Sequence, residues 1–250
     1  MNKKRKIIFL TGTRADFGKL KPLMDKIENS DIFDCHIFVT GMHTLKKYGS
    51  TSQEVVKCKY KNIKIFDNQQ NSTKQDIILS NTISGFSDYV DSLNPDMIIV
   101  HGDRVEALGG AIVGSLNNIL VSHIEGGEIS GTVDELIRHA VSKLSHIHFV
   151  ANLDAKERLL QMGEKNETLF IIGSPEIDVM RNSNLPSLND TKLRYGIIFS
   201  NYSVFIFHPV VTELESLEEH VRQITESLIE SKRNYVVIYP NNDPGSDIII

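Results

Sequence analysis

Short apolar runs and segments of helical period alternate along the chain from its first residues. KIIFLTG (Lys6–Gly12) is followed by Leu20, Leu23, Met24 and Ile27, which share one helical face. CHIFVTG (Cys35–Gly41) and NIKIF (Asn62–Phe66) come next, then a long helical pattern through Ile78, Ile83, Phe86 and Leu93, then DMIIVHG (Asp96–Gly102). The pattern predicts a helix over Val105–Leu116, the strand ILVSHIE (Ile119–Glu125), a helix over Asp134–Leu144 and the strand HIHFVA (His146–Ala151). A helix over Asp154–Met162 stops at Gly163, and LFIIGSP (Leu169–Pro175) closes the series. Continuous apolar strands joined by helical crossovers imply a parallel sheet covered on both faces, here with seven strands before Pro175.

Asn182–Asn189 is polar and turn-forming and reads as a linker. A new unit then starts, with YSVFIFHP (Tyr202–Pro209) as a strand, Glu213–Lys232 as a helix and NYVVIYP (Asn234–Pro240) as another strand. Two strands cannot bury a helix layer on each face. The expected division is therefore a complete α/β domain over residues 1–181 and a linker with a truncated second domain over 182–250, the sequence being a fragment of a longer protein.

Composition narrows the class. With 250 residues, 40% of them hydrophobic, the chain can bury a sizeable core. A net charge of −5 without long runs of one sign gives no support for a nucleic-acid or membrane-surface partner, and Lys3–Lys6 reads as a solvated lead-in to a strand. The apolar run Ile7–Leu10 is too short for a signal peptide, and no later run reaches membrane-spanning length. Cys35 and Cys58 form no CxxC pattern and read as free thiols of a reducing, cytoplasmic compartment.

In doubly wound sheets, ligands bind beyond the carboxyl ends of the strands. The first strand runs into TGTRADFG, which lacks the GxGxxG spacing, and no lysine-containing phosphate loop occurs, so NAD and ATP are disfavoured. Arg14 in that turn has the reach for a phosphate or an acidic partner. The strands ending in His101-Gly-Asp103-Arg104 and His123-Ile-Glu125-Gly126-Gly127 bring Asp103 and Glu125 to one edge. Gly126 and Gly127 permit either close approach to a ligand or a left-handed turn. Thr132 and Glu135 fit a capping box, which makes Glu135 structural. Val133, Leu136, Ile137, Ala140, Val141 and Leu144 form the expected buried face, and Asp134 and Arg138 lie together off it. A metal hydrolase is the rival reading, built on His101-x-Asp103, His123-x-Glu125 and His146-x-His148. The last pair begins its strand and so stands at the opposite end of the sheet, which leaves too few nitrogen ligands. No metal is expected.

TGTRADFGKLKPL, VTGMH, HGDR, HIEGGE, SGTVDELIRH and IFHPV, in this order and spacing, resemble the hydrolysing UDP-N-acetylglucosamine 2-epimerases of sialic-acid biosynthesis across all 250 residues. The resemblance implies two Rossmann-like halves in the glycosyltransferase-B arrangement, a nucleotide-sugar substrate, no cofactor and a homo-oligomer. It implies loss of UDP by elimination across C1 and C2 of the sugar, giving 2-acetamidoglucal, followed by hydration to N-acetylmannosamine. It assigns the essential acids to Asp103, Glu125 and Asp134, and the histidine facing the leaving diphosphate to His208. Arg14, Asp16, Arg104, Gly126, Gly127, Arg138, Asn242 and Asp243 fall at its substrate-binding positions. The alternatives are the same reaction on a UDP-diacetamido-trideoxy sugar of a legionaminic-type pathway, a glycosyltransferase of the same architecture, and a truncated copy without catalysis. Phe17-Gly-Lys-Leu-Lys-Pro22 is closer to the N-acetylglucosamine group.

Overall fold

The computed structural model describes residues 3–70, 74–181, 185–209, 213–240 and 245–250. The chain divides into two compact units, Met1–Asn182 and Ser183–Ile250. The first unit runs β1 (Arg5–Thr11), α1 (Arg14–Glu28), β2 (Phe33–Val39), α2 (Ser52–Lys57), β3 (Asn62–Ile65), α3 (Gln75–Leu93), β4 (Met97–His101) and α4 (Val105–Leu116). It continues through β5 (Leu120–Ile124), α5 (Val133–Lys143), β6 (Ile147–Val150), α6 (Leu153–Gln161), β7 (Leu169–Ile171) and α7 (Pro175–Met180).

The seven strands pair in parallel in the order β3-β2-β1-β4-β5-β6-β7. This is the Rossmann-like α/β sheet expected from the alternation of apolar runs and helical faces. Successive residues of β1 show why those runs are unbroken. Ile7 and Phe9 pack with Leu20 and Met24 of α1 on one face, while Ile8 and Leu10 pack with Phe86 of α3 and Ala111 of α4 on the other. Both faces are buried, so no position of the strand interior is left for a polar side chain. The order reverses between β1 and β4, which opens a crevice at their carboxyl ends.

Two local expectations change. Helix α5 buries Val141, with Ile137 and Leu144 packed against the same cluster, but Leu136 is 71% exposed and Val133 45% exposed. The apolar period runs the length of the helix, whereas its buried positions fall mainly in the second half. The short helices α2 and α7 carry fewer than two turns, too little for a periodic signal.

The second unit holds α8 (Leu188–Arg194), β8 (Ser203–Ile206), α9 (Leu217–Glu230), β9 (Tyr235–Ile238) and α10 (Ser246–Ile249), with β8 and β9 parallel. Helix α8 begins inside the expected linker, capped by the Ser187 hydroxyl accepting from the Asp190 N–H. Residues 182–184 of that linker lie outside the described residues. The helix expected over Glu213–Lys232 is a 3₁₀ turn, Leu214–Ser216, followed by α9.

Glycines in two helices of the first unit should respond oppositely to alanine. A Cβ at Gly114 would lie 2.4 Å from Val121 Cγ2 and 3.1 Å from Ile98 Cδ1, both on buried strands, whereas at Gly18 it meets nothing within 4 Å. Gly114→Ala is expected to destabilise by about 1–3 kcal/mol and Gly18→Ala to stabilise by up to about 1 kcal/mol, read from urea unfolding midpoints of the two variants.

Candidate active site

The β1–α1 turn is held by its own acid. Thr13 and Asp16 form a reciprocal capping box at the start of α1. Asp16 also accepts from the Gly12 N–H at 2.9 Å, the Thr13 N–H at 3.0 Å and the Thr11 hydroxyl. Asp16 is buried, with both oxygens bonded within the turn. Arg14 is exposed in the first turn of α1, at the mouth of the crevice. His43 is buried behind the turn, bonded to Thr11 Oγ1 at 3.0 Å and Thr51 Oγ1 at 2.8 Å, and burial lowers its pKa.

Glu106, in the first turn of α4, is 1% exposed and wedged beneath Gly12 and Gly41. A Cβ at Gly41 would come within 2.7 Å of Glu106 Oε1, and Gly41 has a φ of +62°, so this position requires glycine twice over. Arg104, the N-cap residue of α4, places Nε 3.5 Å from Glu106 Oε2.

Glu125 follows β5 with a φ of +60°, a left-handed conformation that non-glycine residues seldom adopt. Its N–H donates to the Phe149 carbonyl at 2.9 Å, which fixes the turn. The carboxylate accepts from Lys19 Nζ at 2.7 Å and pairs with His101 Nε2 at 3.0 Å, both on Oε2, and accepts from Ser174 Oγ at 2.6 Å on Oε1. Burial alone would raise its pKa, but the bonds from His101, Lys19 and Ser174 outweigh it and hold the acid well below the usual carboxylate range. The left-handed backbone and the fully partnered, ionised carboxylate at a strand end make Glu125 a candidate functional group.

Asp103 is ion-paired with Arg138 Nη2, and Arg138 Nη1 donates to the Glu128 carbonyl at 3.0 Å. Asp134 accepts from the Thr132 hydroxyl at 3.1 Å. That hydroxyl makes no cap bond, so the capping box expected at Thr132 does not form. Glu135 does reach back, but further: Oε2 accepts from the Ser130 and Gly131 N–H groups, each at 2.8 Å. Gly131, with a φ of +69°, lets two successive N–H groups point at one oxygen. These bonds lower the Glu135 pKa and confirm it as a structural acid.

The two glycines after Glu125 meet protein. A Cβ at Gly126 would lie 2.7 Å from His123 Nδ1 and 2.8 Å from Ser142 Oγ, and one at Gly127 (φ +79°) 2.4 Å from the Ala155 carbonyl oxygen. Arg158 donates to the Gly127 carbonyl. Of the two roles open to this pair, the left-handed turn is the one occupied at Gly127. His123 is a core residue, with Nε2 2.8 Å from the Gly102 carbonyl and Nδ1 3.0 Å from Ser142 Oγ. Burial pushes its pKa down to about 3. The carbonyl can only accept, so Nε2 carries the proton. His146 accepts from the Val121 N–H, and buried His148 lies 3.3 Å from Glu164. His139 Nε2 is 3.9 Å from Glu135. Among the described residues, no three His, Cys, Asp or Glu side chains form a group that could hold a metal ion. His208 is exposed after β8 in the second unit, and Asn242 and Asp243 lie outside the described residues.

Residues 25–250 match the family model described as UDP-N-acetylglucosamine 2-epimerase. The chain is 50% identical over 246 residues to the UDP-N-acetylglucosamine 2-epimerase of Neisseria meningitidis serogroup B, covering 98% of this chain and 65% of that protein. The chain belongs to the UDP-N-acetylglucosamine 2-epimerase family. A UDP-N,N'-diacetylbacillosamine 2-epimerase (hydrolyzing) from Legionella pneumophila is 37% identical over 250 residues, covering 98% of this chain and 66% of that one. The Methanocaldococcus jannaschii UDP-GlcNAc 2-epimerase, solved in complex with UDP-GlcNAc and UDP, superposes with a TM-score of 0.77 at 19% identity, over 97% of this chain and 67% of that one. The fold is thus shared with epimerase-family structures, and the chain spans about 65% of the length of its Neisseria relative.

Two partners of Glu125, Lys19 and Ser174, are not among the expected site residues. Lys19 lies in TGTRADFGKLKPL on α1, where a lysine on the helix that follows the first strand was the available signal. Ser174 ends the run after β7, and its position at a strand's carboxyl end was the available signal.

Burial of His123 and His148 gives a pH dependence. Both imidazoles have pKa values below the ordinary 6.5, His123 at about 3. The unfolded chain therefore binds these protons first, and stability falls as pH drops from about 6.5 toward about 3. Thermal melts should show Tm falling already between pH 6.5 and 5, above the carboxylate range. A flat Tm over that interval would contradict neutral, buried imidazoles.

Proposed function

We propose that the complete protein converts UDP-N-acetylglucosamine and water to N-acetylmannosamine and UDP. The observation that carries this reading is the Glu125 carboxylate after β5, held ionised by three partners, with Asp103, paired to Arg138, following the neighbouring strand β4. The 50% identity to a Neisseria protein of that name supports the choice of substrate.

In the first step the bond from C1 to the diphosphate oxygen breaks and its electron pair leaves with UDP. Positive charge develops at C1 and the ring oxygen, and a fixed anion such as Glu125 stabilises it without reorganising. A second carboxylate at this edge, Asp103 or Asp134, takes the C2 proton, and the C2–H pair closes the C1=C2 double bond of 2-acetamidoglucal. In the second step water gives its hydroxyl to C1, and C2 receives a proton on the face opposite to the one that lost it, which yields the manno configuration. Arg14, Arg104 and Arg138 are assigned to the anionic parts of the substrate, His208 to the departing diphosphate, and Asn242 and Asp243 to the second half of the site. We place the activity in the cytoplasm. Among the described residues no helix is long and apolar enough to cross a membrane.

The Legionella relative favours a second reading, the same chemistry on UDP-N,N'-diacetylbacillosamine, at the lower identity of 37%. Proton NMR in D₂O separates the two. The complete protein is expected to release UDP from UDP-N-acetylglucosamine and form N-acetylmannosamine deuterated at C2. Turnover of only the diacetylated donor would replace the first reading by the second.

Substitutions divide the acids. Asp103→Asn, Glu125→Gln and Asp134→Asn are each expected to lower kcat by ~10²–10⁴-fold in a folded protein. Glu135→Gln should stay near the unsubstituted rate, because an amide oxygen can accept the same two N–H bonds. Equal loss at positions 134 and 135, measured with circular dichroism as the folding control, would refute the division.

A further inference from the structure

We infer that Ser174 is a positioning residue for Glu125, fixing the one carboxylate oxygen that neither Lys19 nor His101 touches. The inference rests on the role proposed above for Glu125.

Ser174 occupies the N-cap position of α7, where a serine hydroxyl ordinarily accepts from the helix's own N–H groups. Here it makes no cap bond. Its hydroxyl instead donates to Glu125 Oε1 at 2.6 Å, across 49 residues of sequence. A short O–H···O⁻ bond of this kind is charge-assisted and stronger than the neutral cap it replaces. Lys19 and His101 share Oε2, and the Ser174 hydroxyl holds Oε1. Without the serine, Oε1 loses this hold while Lys19 and His101 still grip Oε2, which leaves the carboxylate freer to rock about that oxygen.

The setting makes the hydroxyl a rigid donor. Pro175 follows directly, is buried, and confines Ser174 to extended backbone, with φ −84° and ψ 128°. Helix α7 packs against α1, which carries Lys19, and Glu176 in the first turn of α7 stands 4.0 Å from Lys19 Nζ. One turn of chain therefore steadies Glu125 directly and its lysine partner indirectly. A serine kept only to start a helix would bond that helix.

The test uses the complete protein with Ser174→Ala and Ser174→Thr. Selective ¹³C labelling of glutamate side-chain carboxyls at neutral pH gives a resonance for Glu125, assigned by its loss in Glu125→Gln. Ser174→Ala is expected to move that resonance and to lower kcat about tenfold, with KM changed less than about twofold. Ser174→Thr should restore both, since it keeps the hydroxyl. The inference is overturned if the alanine variant leaves the resonance in place. It is also overturned if kcat falls in both variants alike, which would make the position a matter of α7 packing. If the unsubstituted protein forms no N-acetylmannosamine, the proposed function fails, and a resonance still shifted by Ser174→Ala alone separates that failure from the contact itself.

Discussion

A carboxylate at the rim of a buried sheet is stable as an anion only where donors replace the water it has lost, and the first unit is organised around meeting that condition at Glu125. The three groups that do so come from α1, the end of β4 and the start of α7, elements far apart in sequence. Their convergence requires the parallel sheet, because only crossover connections bring the carboxyl ends of successive strands to one edge. The left-handed backbone at Glu125 points the side chain into that convergence.

A second layer of polar contacts stands below the crevice and faces inward. Asp16 organises the first turn, His43 backs it, and Glu106 fills the space under Gly12 and Gly41 while standing beside Arg104. Buried polar groups are stable when bonded, and the bonds of Asp16 and His43 hold the first turn in one arrangement. The turns that carry Arg14 and Arg104 are therefore backed by buried polar contacts.

The strands were legible because burial on both faces leaves a continuous apolar run, as in Ile7–Leu10. Helix α5 was legible in extent but only partly in orientation, since Leu136 keeps the apolar period while standing exposed. Asp103 and Glu125 could be placed at one edge because each closely follows a strand, and Arg138 was placed by its helical spacing from Asp134. The bonds of Asp16 within its own turn and the close approach of Gly127 to the Ala155 carbonyl could not be read, because residue type does not say which neighbours the fold brings near. Glu135 was read correctly as structural, with its partners displaced to Ser130 and Gly131 by the turn at Gly131. Lys19 and Ser174 gain their meaning from contacts across 106 and 49 residues, and no local pattern encodes such distances.

The tight turn through Gly126 and Gly127 carries a further consequence. With the Glu125 N–H bonded to the Phe149 carbonyl and Arg158 donating to the Gly127 carbonyl, the backbone beneath Glu125 is held on both sides. The height of the carboxylate above the sheet is therefore set by the length of the side chain alone. An aspartate at this position, though identical in charge, would withdraw its oxygens from Lys19, His101 and Ser174 together. At this corner of the molecule reach is as strict a requirement as charge, and glutamate is the only acidic side chain that meets both.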